Sequence, residues 1–115
     1  MRPMRAEALK GHLDGLLLAV LEAGPAHGYA LMETLRSNSG GTFDLPTGTV
    51  YPALHRLEHA GLVQGRWAEG SGRRRRVYEL TPAGAAALAQ QRTEWRRFAT
   101  AVSAVIEPEA PWAPA

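Results

Sequence analysis

Residues 46–80, PTGTVYPALHRLEHAGLVQGRWAEGSGRRRRVYEL, constrain the fold of this chain more than any other stretch. Val50, Leu54 and Leu57 recur at i, i+4 and i+7, so the first part reads as an amphipathic helix with one apolar stripe. Gly61 ends that helix. Val63 to Ala68 and Val77 to Leu80 then read as two short strands, with Glu69-Gly70-Ser71-Gly72 as the tip between them. Arg73, Arg74, Arg75 and Arg76 follow the tip directly. A helix that enters a DNA major groove beside a cationic hairpin that grips the backbone needs parts in this order. The stretch predicts a winged helix-turn-helix.

The rest of the chain fits around it. Leu13, Leu16, Leu17, Val20 and Leu21 fall at helical spacing, giving a first helix that ends near Gly24-Pro25. A second helix is expected from Gly28 to Ser37, with Leu31, Met32 and Leu35 inward, followed by a turn over Asn38 to Gly41. Thr47 or Thr49 can cap the third helix. Pro52 fits its first turn if it starts at Thr49 and removes a backbone hydrogen bond if it starts at Thr47; a start near Thr47 with local distortion is the favoured reading. Thr81-Pro82 opens a last helix, cap then proline, that continues to about Ile106.

The fold class expected is mainly α with a small β-hairpin: a winged helix-turn-helix plus a long C-terminal dimerisation helix. Residues 1–9 form a lead, 10–80 the DNA-binding domain, 81–106 the dimerisation helix and 107–115 a proline-rich, disordered tail. Trp95, Phe98, Val102 and Val105 step by three, four and three, the spacing of a coiled-coil seam. Nothing upstream is left to cover that seam, so these residues and Ile106 are expected to form a homodimer interface.

Composition narrows the function classes. The 115 residues carry a net charge of only +2, but residues 46–80 hold six arginines against Glu58, Glu69 and Glu79. Charge concentrated on one element matters more for a polyanion than the total does. Cysteine is absent, which excludes disulfides, thiolate nucleophiles and cysteine-ligated zinc. Leu16 to Leu21 is the longest apolar run and is too short to span a bilayer, so a cytoplasmic protein without membrane contact is expected. No cofactor is expected.

HGYAL (27–31), GTVYPALHRLEHAGLV (48–63), GRRRRVYELTPAG (72–84) and the tryptophan-bearing last helix together resemble the PadR family of bacterial transcription regulators. The resemblance covers about residues 10–106. It implies a dimeric winged-helix repressor, and the single short C-terminal helix is similar to the family's small subgroup. Some members of that subgroup bind flat aromatic or multidrug compounds between subunits against a tryptophan of the last helix, and Trp95 stands at the matching place.

Recognition helices read bases mainly from their first turns, which points to Thr49 and Tyr51, with Thr47 at a phosphate. Tyr51 could instead be a half-buried bridge between helix and wing. His55 and Arg56 lie further along the same side, as groove contacts or as plain solvated surface. Arg73, Arg74, Arg75 and Arg76 are better explained by a phosphate partner than by a soluble tip, because four adjacent like charges repel one another. They should alternate sides in a strand. Trp95 either fills the dimer core or lines a gap for a planar ligand, with Leu13, Leu17, Phe98 and Val102 as walls. His27, Gly28 and Tyr29 match the start of the family's second helix, where Gly28 is expected to permit close packing against the first helix.

Two other classes compete. A winged-helix module can bind proteins, but that use wants an apolar third helix and this one is polar and basic. His55-Arg56-Leu57-Glu58-His59 matches the H-x-x-E-H zinc-peptidase pattern, yet it lies inside the recognition-helix stretch of a short chain and lacks an evident third ligand. No metal is expected.

Overall fold

The computed structural model describes residues 9–70 and 72–108, so most of the expected lead and the end of the tail lie outside the described residues. Its elements are α1 (Leu13–Glu22), β1 (Ala26–His27), α2 (Gly28–Asn38), α3 (Thr47–His59), β2 (Val63–Gly70), β3 (Arg73–Leu80) and α4 (Pro82–Ile106). The mainly helical winged architecture stands. The sheet, however, has three strands in the order β1-β3-β2, not the two of a simple hairpin. β1 pairs antiparallel with β3 through Ala26↔Tyr78 and His27↔Val77. Two residues after a proline show no alternation, so no periodicity marks this strand.

Leu17, Leu18 and Leu21 of α1, Leu31 and Leu35 of α2, and Val50, Ala53, Leu54 and Leu57 of α3 converge in one core with Leu45, Val63, Tyr78 and Leu88. Fully burying a leucine contributes roughly 1.5–3 kcal/mol, so the three-helix contact supplies most of the cohesion. Leu9 is also buried, which draws the last residue of the expected lead into the core. The phenol of Tyr78 is held above its ordinary pKa, first by burial and then by the nearby Glu58 carboxylate.

α3 begins at Thr47, and its N-cap is Pro46, whose carbonyl accepts from the Thr49 and Val50 amides at 3.0 and 3.1 Å. Neither Thr47 nor Thr49 caps the helix. Pro52 lies inside α3 on its exposed side, where the Gly48 carbonyl it leaves without a helical donor is on an exposed residue. The helix closes as expected at Gly61, with φ +79°, while the Leu62 amide donates back to the Leu57 carbonyl at 2.9 Å.

Thr81 joins the wing to α4. Its hydroxyl accepts from the Gly84 amide at 3.0 Å and donates to the Gly61 carbonyl at 2.7 Å. Thr81→Ala removes a cap and a tertiary hydrogen bond together and is expected to cost about 1–2 kcal/mol, read as a lower urea midpoint at unchanged m-value. Further along, Arg92 forks onto Glu22 of α1 at 2.8 and 2.9 Å. Hydrogen bonding to Arg92 holds the Glu22 carboxyl below its usual value.

α4 buries Gly84, Leu88 and Ser103. The seam stripe stays open: Trp95 is 54%, Phe98 53%, Val105 81% and Ile106 70% exposed, and Val102 is half-buried.

Candidate nucleic-acid interface

The wing is longer than its apolar residues suggest. β3 begins at Arg73, so all four arginines belong to the strand; β2 ends at Gly70, and Gly72 has φ +76°. The register sets Arg73 opposite Gly70, Arg74 opposite Glu69, Arg75 opposite Ala68 and Arg76 opposite Trp67. Side chains alternate across a pleated strand, which divides the run into two pairs. Arg74 and Arg76 share the face of Trp67, their guanidinium carbons 4.9 and 5.5 Å from its ring centroid.

The four arginines are not equivalent. Arg73, Arg74 and Arg75 are exposed. Arg76 is half-buried and donates to Glu58 Oε2 of α3 at 2.6 Å. Arg75 Nη1 lies 2.8 Å from His27 Nε2. His27 Nδ1 also accepts from the Ala30 amide at 3.3 Å, capping α2. A neutral imidazole has one acceptor nitrogen, and an arginine can only donate. The ring therefore serves either the Ala30 amide through Nδ1 or Arg75 through Nε2, and in both cases Arg75 faces an uncharged ring and not a carboxylate.

Tyr51 turns from α3 toward α2. A Cβ built on Gly28 would stand 2.3 Å from the Tyr51 hydroxyl and 2.5 Å from its ring, so Gly28 exists in α2 to admit this phenol. The expected partner of Gly28, the first helix, is replaced by the third. His27, Tyr29, Tyr51, Trp67 and the four arginines line an open cleft of about 470 Å³ between α2, the start of α3 and the wing. Cations interleaved with aromatic rings can hold phosphates and stacked or edge-on bases at once.

Along α3, Thr47, Gly48, His55, Arg56 and His59 are exposed, and Thr49 is half-buried. Arg56 donates to Asp14 of α1 at 2.8 Å. Glu58 of the H-x-x-E-H run is taken by Arg76 and by the Gly65 amide at 3.1 Å, while His55 and His59 face solvent. Among the described residues no three histidine, aspartate or glutamate side chains gather as a metal site. No helix among them is long and apolar enough to cross a membrane.

A model of the PadR-like transcriptional regulators matches residues 17–90, from α1 through the wing into α4. The chain belongs to the PadR-like family. A regulator from Mycobacterium tuberculosis, transcriptional regulator Rv3488, is 41% identical over 76 residues, covering 66% of this chain and 68% of that one. A PadR family regulator structure from Eggerthella lenta is 31% identical, with a TM-score of 0.77 over 88% of this chain and 87% of its own. The Bacillus subtilis PadR in complex with operator DNA shares the fold at a TM-score of 0.63 and 23% identity, over 70% of this chain and 46% of that one. PadR-like proteins are transcriptional regulators, not enzymes.

In this PadR-like chain the aromatic end of α4 gains a neighbour that periodicity does not indicate. His12, at the N-cap of α1, lies 5.6 Å from Trp95 edge-on and 5.8 Å from Phe98, centroid to centroid. Leu13 is half-buried beside them, whereas Leu17 is fully buried in the protomer core and has no surface to offer a ligand. Sequence periodicity also gives no role to Trp67 and Glu58. The signal that could locate them is register: Trp67 falls opposite Arg76 once β3 is extended to Arg73.

Proposed function

We propose that the chain is a sequence-specific DNA-binding repressor that acts as a homodimer on a palindromic operator. The observation that carries this reading is the row of exposed Arg73, Arg74 and Arg75 on a wing beside the exposed start of α3. The Bacillus subtilis relative of the same fold, held in complex with operator DNA, supports it. Thr47, Thr49, His55 and the face of Tyr51 toward the cleft meet the groove, and Arg56 reaches a phosphate when it exchanges Asp14 for DNA. Arg73, Arg74 and Arg75 neutralise phosphates of the adjoining backbone.

Dimerisation through Trp95, Phe98, Val102, Val105 and Ile106 covers the open stripe of α4 and sets two recognition helices about 34 Å apart, one DNA turn, or a multiple of it. A planar aromatic ligand stacks on Trp95 between the subunits, with Leu13, Phe98 and Val102 around it, and changes that spacing. By linkage, bound DNA weakens the ligand by the same factor as the ligand weakens DNA. Trp95→Ala is expected to leave operator affinity within about threefold, the rest of the stripe still holding the subunits together, while lowering affinity for a planar aromatic dye about fivefold, since ring–ring stacking is worth about 1 kcal/mol.

The deciding experiment is a salt titration of binding to the duplex immediately upstream of the chain's own gene, beside a scrambled duplex of equal length. A preference of about a thousandfold or more with steep salt dependence is the expected result. Absence of any salt-dependent affinity for either duplex would instead favour a protein-binding module.

A further inference from the structure

We infer that Glu58 and Trp67 are positioning residues that remove Arg76 from the phosphate-binding set and use it to fix the wing against the recognition helix. The inference rests on the DNA-binding reading above and assigns different work to chemically identical neighbours.

One carboxylate oxygen makes the junction. Glu58 Oε2, in the last turn of α3, accepts from Arg76 Nη2 on β3 at 2.6 Å and from the Gly65 amide on β2 at 3.1 Å. Both strands of the wing are therefore tied to the same atom of the helix. Gly65 makes the room: a Cβ there would stand 2.8 Å from both Arg76 Nε and Glu58 Oε2. The Trp67 ring lies against the same guanidinium, its centroid 5.5 Å from the guanidinium carbon. The two charged side chains keep 32% and 29% exposure, against 60% for Arg56 in its ion pair with Asp14.

A charged pair that is partly desolvated and also hydrogen-bonded is costly to open, because each charge would have to be rehydrated or left unpaired. A phosphate competing for Arg76 must displace a carboxylate that already sits 2.6 Å from Nη2. Arg74, over the same indole but, among the described residues, without a carboxylate partner, carries no such restraint. The wing thus presents three phosphate ligands and one internal strut.

The test compares salt slopes and specificity ratios of the full-length chain on the upstream and scrambled duplexes. Arg75→Met should flatten the slope by about 0.9 for each phosphate no longer neutralised and weaken both duplexes alike. Arg76→Met should leave the slope at the wild-type value and weaken the upstream duplex about tenfold more than the scramble, as expected when a geometric coupling is removed. Glu58→Gln, whose amide oxygen can still accept from Gly65, should lower the specificity ratio as Arg76→Met does but steepen the slope, by about 0.9 for each phosphate the released Arg76 neutralises, and adding Arg76→Met to it should return the slope to the wild-type value with no further loss of specificity. A flattened slope in Arg76→Met, additive single effects, or an unchanged specificity ratio in folded variants would overturn the assignment. A wild-type protein with no salt-dependent DNA affinity would remove the underlying reading as well, an outcome visible before any variant is compared.

Discussion

Alanine at both Arg74 and Arg75 is expected to flatten the salt dependence of DNA binding by about 3.6 in log–log slope on the proposed dimer, from two phosphates released by each of two protomers at about 0.9 per phosphate. Both side chains are exposed, on opposite faces of β3, and neither is paired with a carboxylate among the described residues. Over a fourfold rise in salt, a slope difference of that size changes the relative affinity of wild type and variant by about a hundredfold. The loss at low salt should fall equally on operator and scrambled DNA, because phosphate contacts position the protein and carry no base information. Fluorescence anisotropy at several salt concentrations reads both quantities. An unchanged slope would exclude the wing from the DNA backbone, and a loss confined to the operator would turn these arginines into base-reading residues.

Stability should be nearly untouched in that variant. Removing two of four neighbouring like charges relieves repulsion, and neither residue contributes to the core. A normal melting transition beside a flattened slope would separate the electrostatic role of the wing from its packing. The same contrast distinguishes Arg76, whose loss disturbs a junction.

What the sequence makes legible here follows what has a period. The Val50/Leu54/Leu57 stripe is fully buried, and the Thr81-Pro82 start of α4 is built as its residue types imply. Elements without a period are the ones that escape. β1 is two residues long, and its partner is about fifty residues away in β3. The first half of β3 is a run of arginines whose two faces look chemically alike, so alternation cannot show where the strand begins. Tertiary contact then decides what local chemistry leaves open: Tyr51 has the spacing of a groove residue, yet its hydroxyl packs where Gly28 lacks a side chain. Likewise Glu58 looks like part of a histidine-glutamate motif until the fold brings Gly65 and Arg76 to the same oxygen.

Gly84→Ala is expected to destabilise the chain by about 3 kcal/mol, although alanine is the better helix former by about 1 kcal/mol. Gly84 lies in the first turn of α4, where a Cβ would stand 2.0 Å from the Leu62 carbonyl oxygen and 2.8 Å from Leu80 Cδ1. The clash is with backbone that has little freedom to retreat. The Leu62 carbonyl already accepts from the Thr81 amide at 3.2 Å, and the Leu62 amide closes α3 through Leu57. Relief therefore requires α4 to move away from the wing, breaking the Thr81 cap as it goes. A loss of that size corresponds to a fall of about 10–15 °C in melting temperature for a domain near this length. Gly48→Ala provides the control. Gly48 is exposed in α3 with nothing within 4 Å of the added carbon, so there the ordinary helix preference should raise stability by a few tenths of a kcal/mol to about 1 kcal/mol. Opposite signs for two glycine-to-alanine changes in helices would show that backbone contact, and not propensity, dictates Gly84. Equal gains at both sites would mean that α4 does not pack on the Leu62 carbonyl, and the link from the wing to the Trp95 stripe would have to run through other contacts.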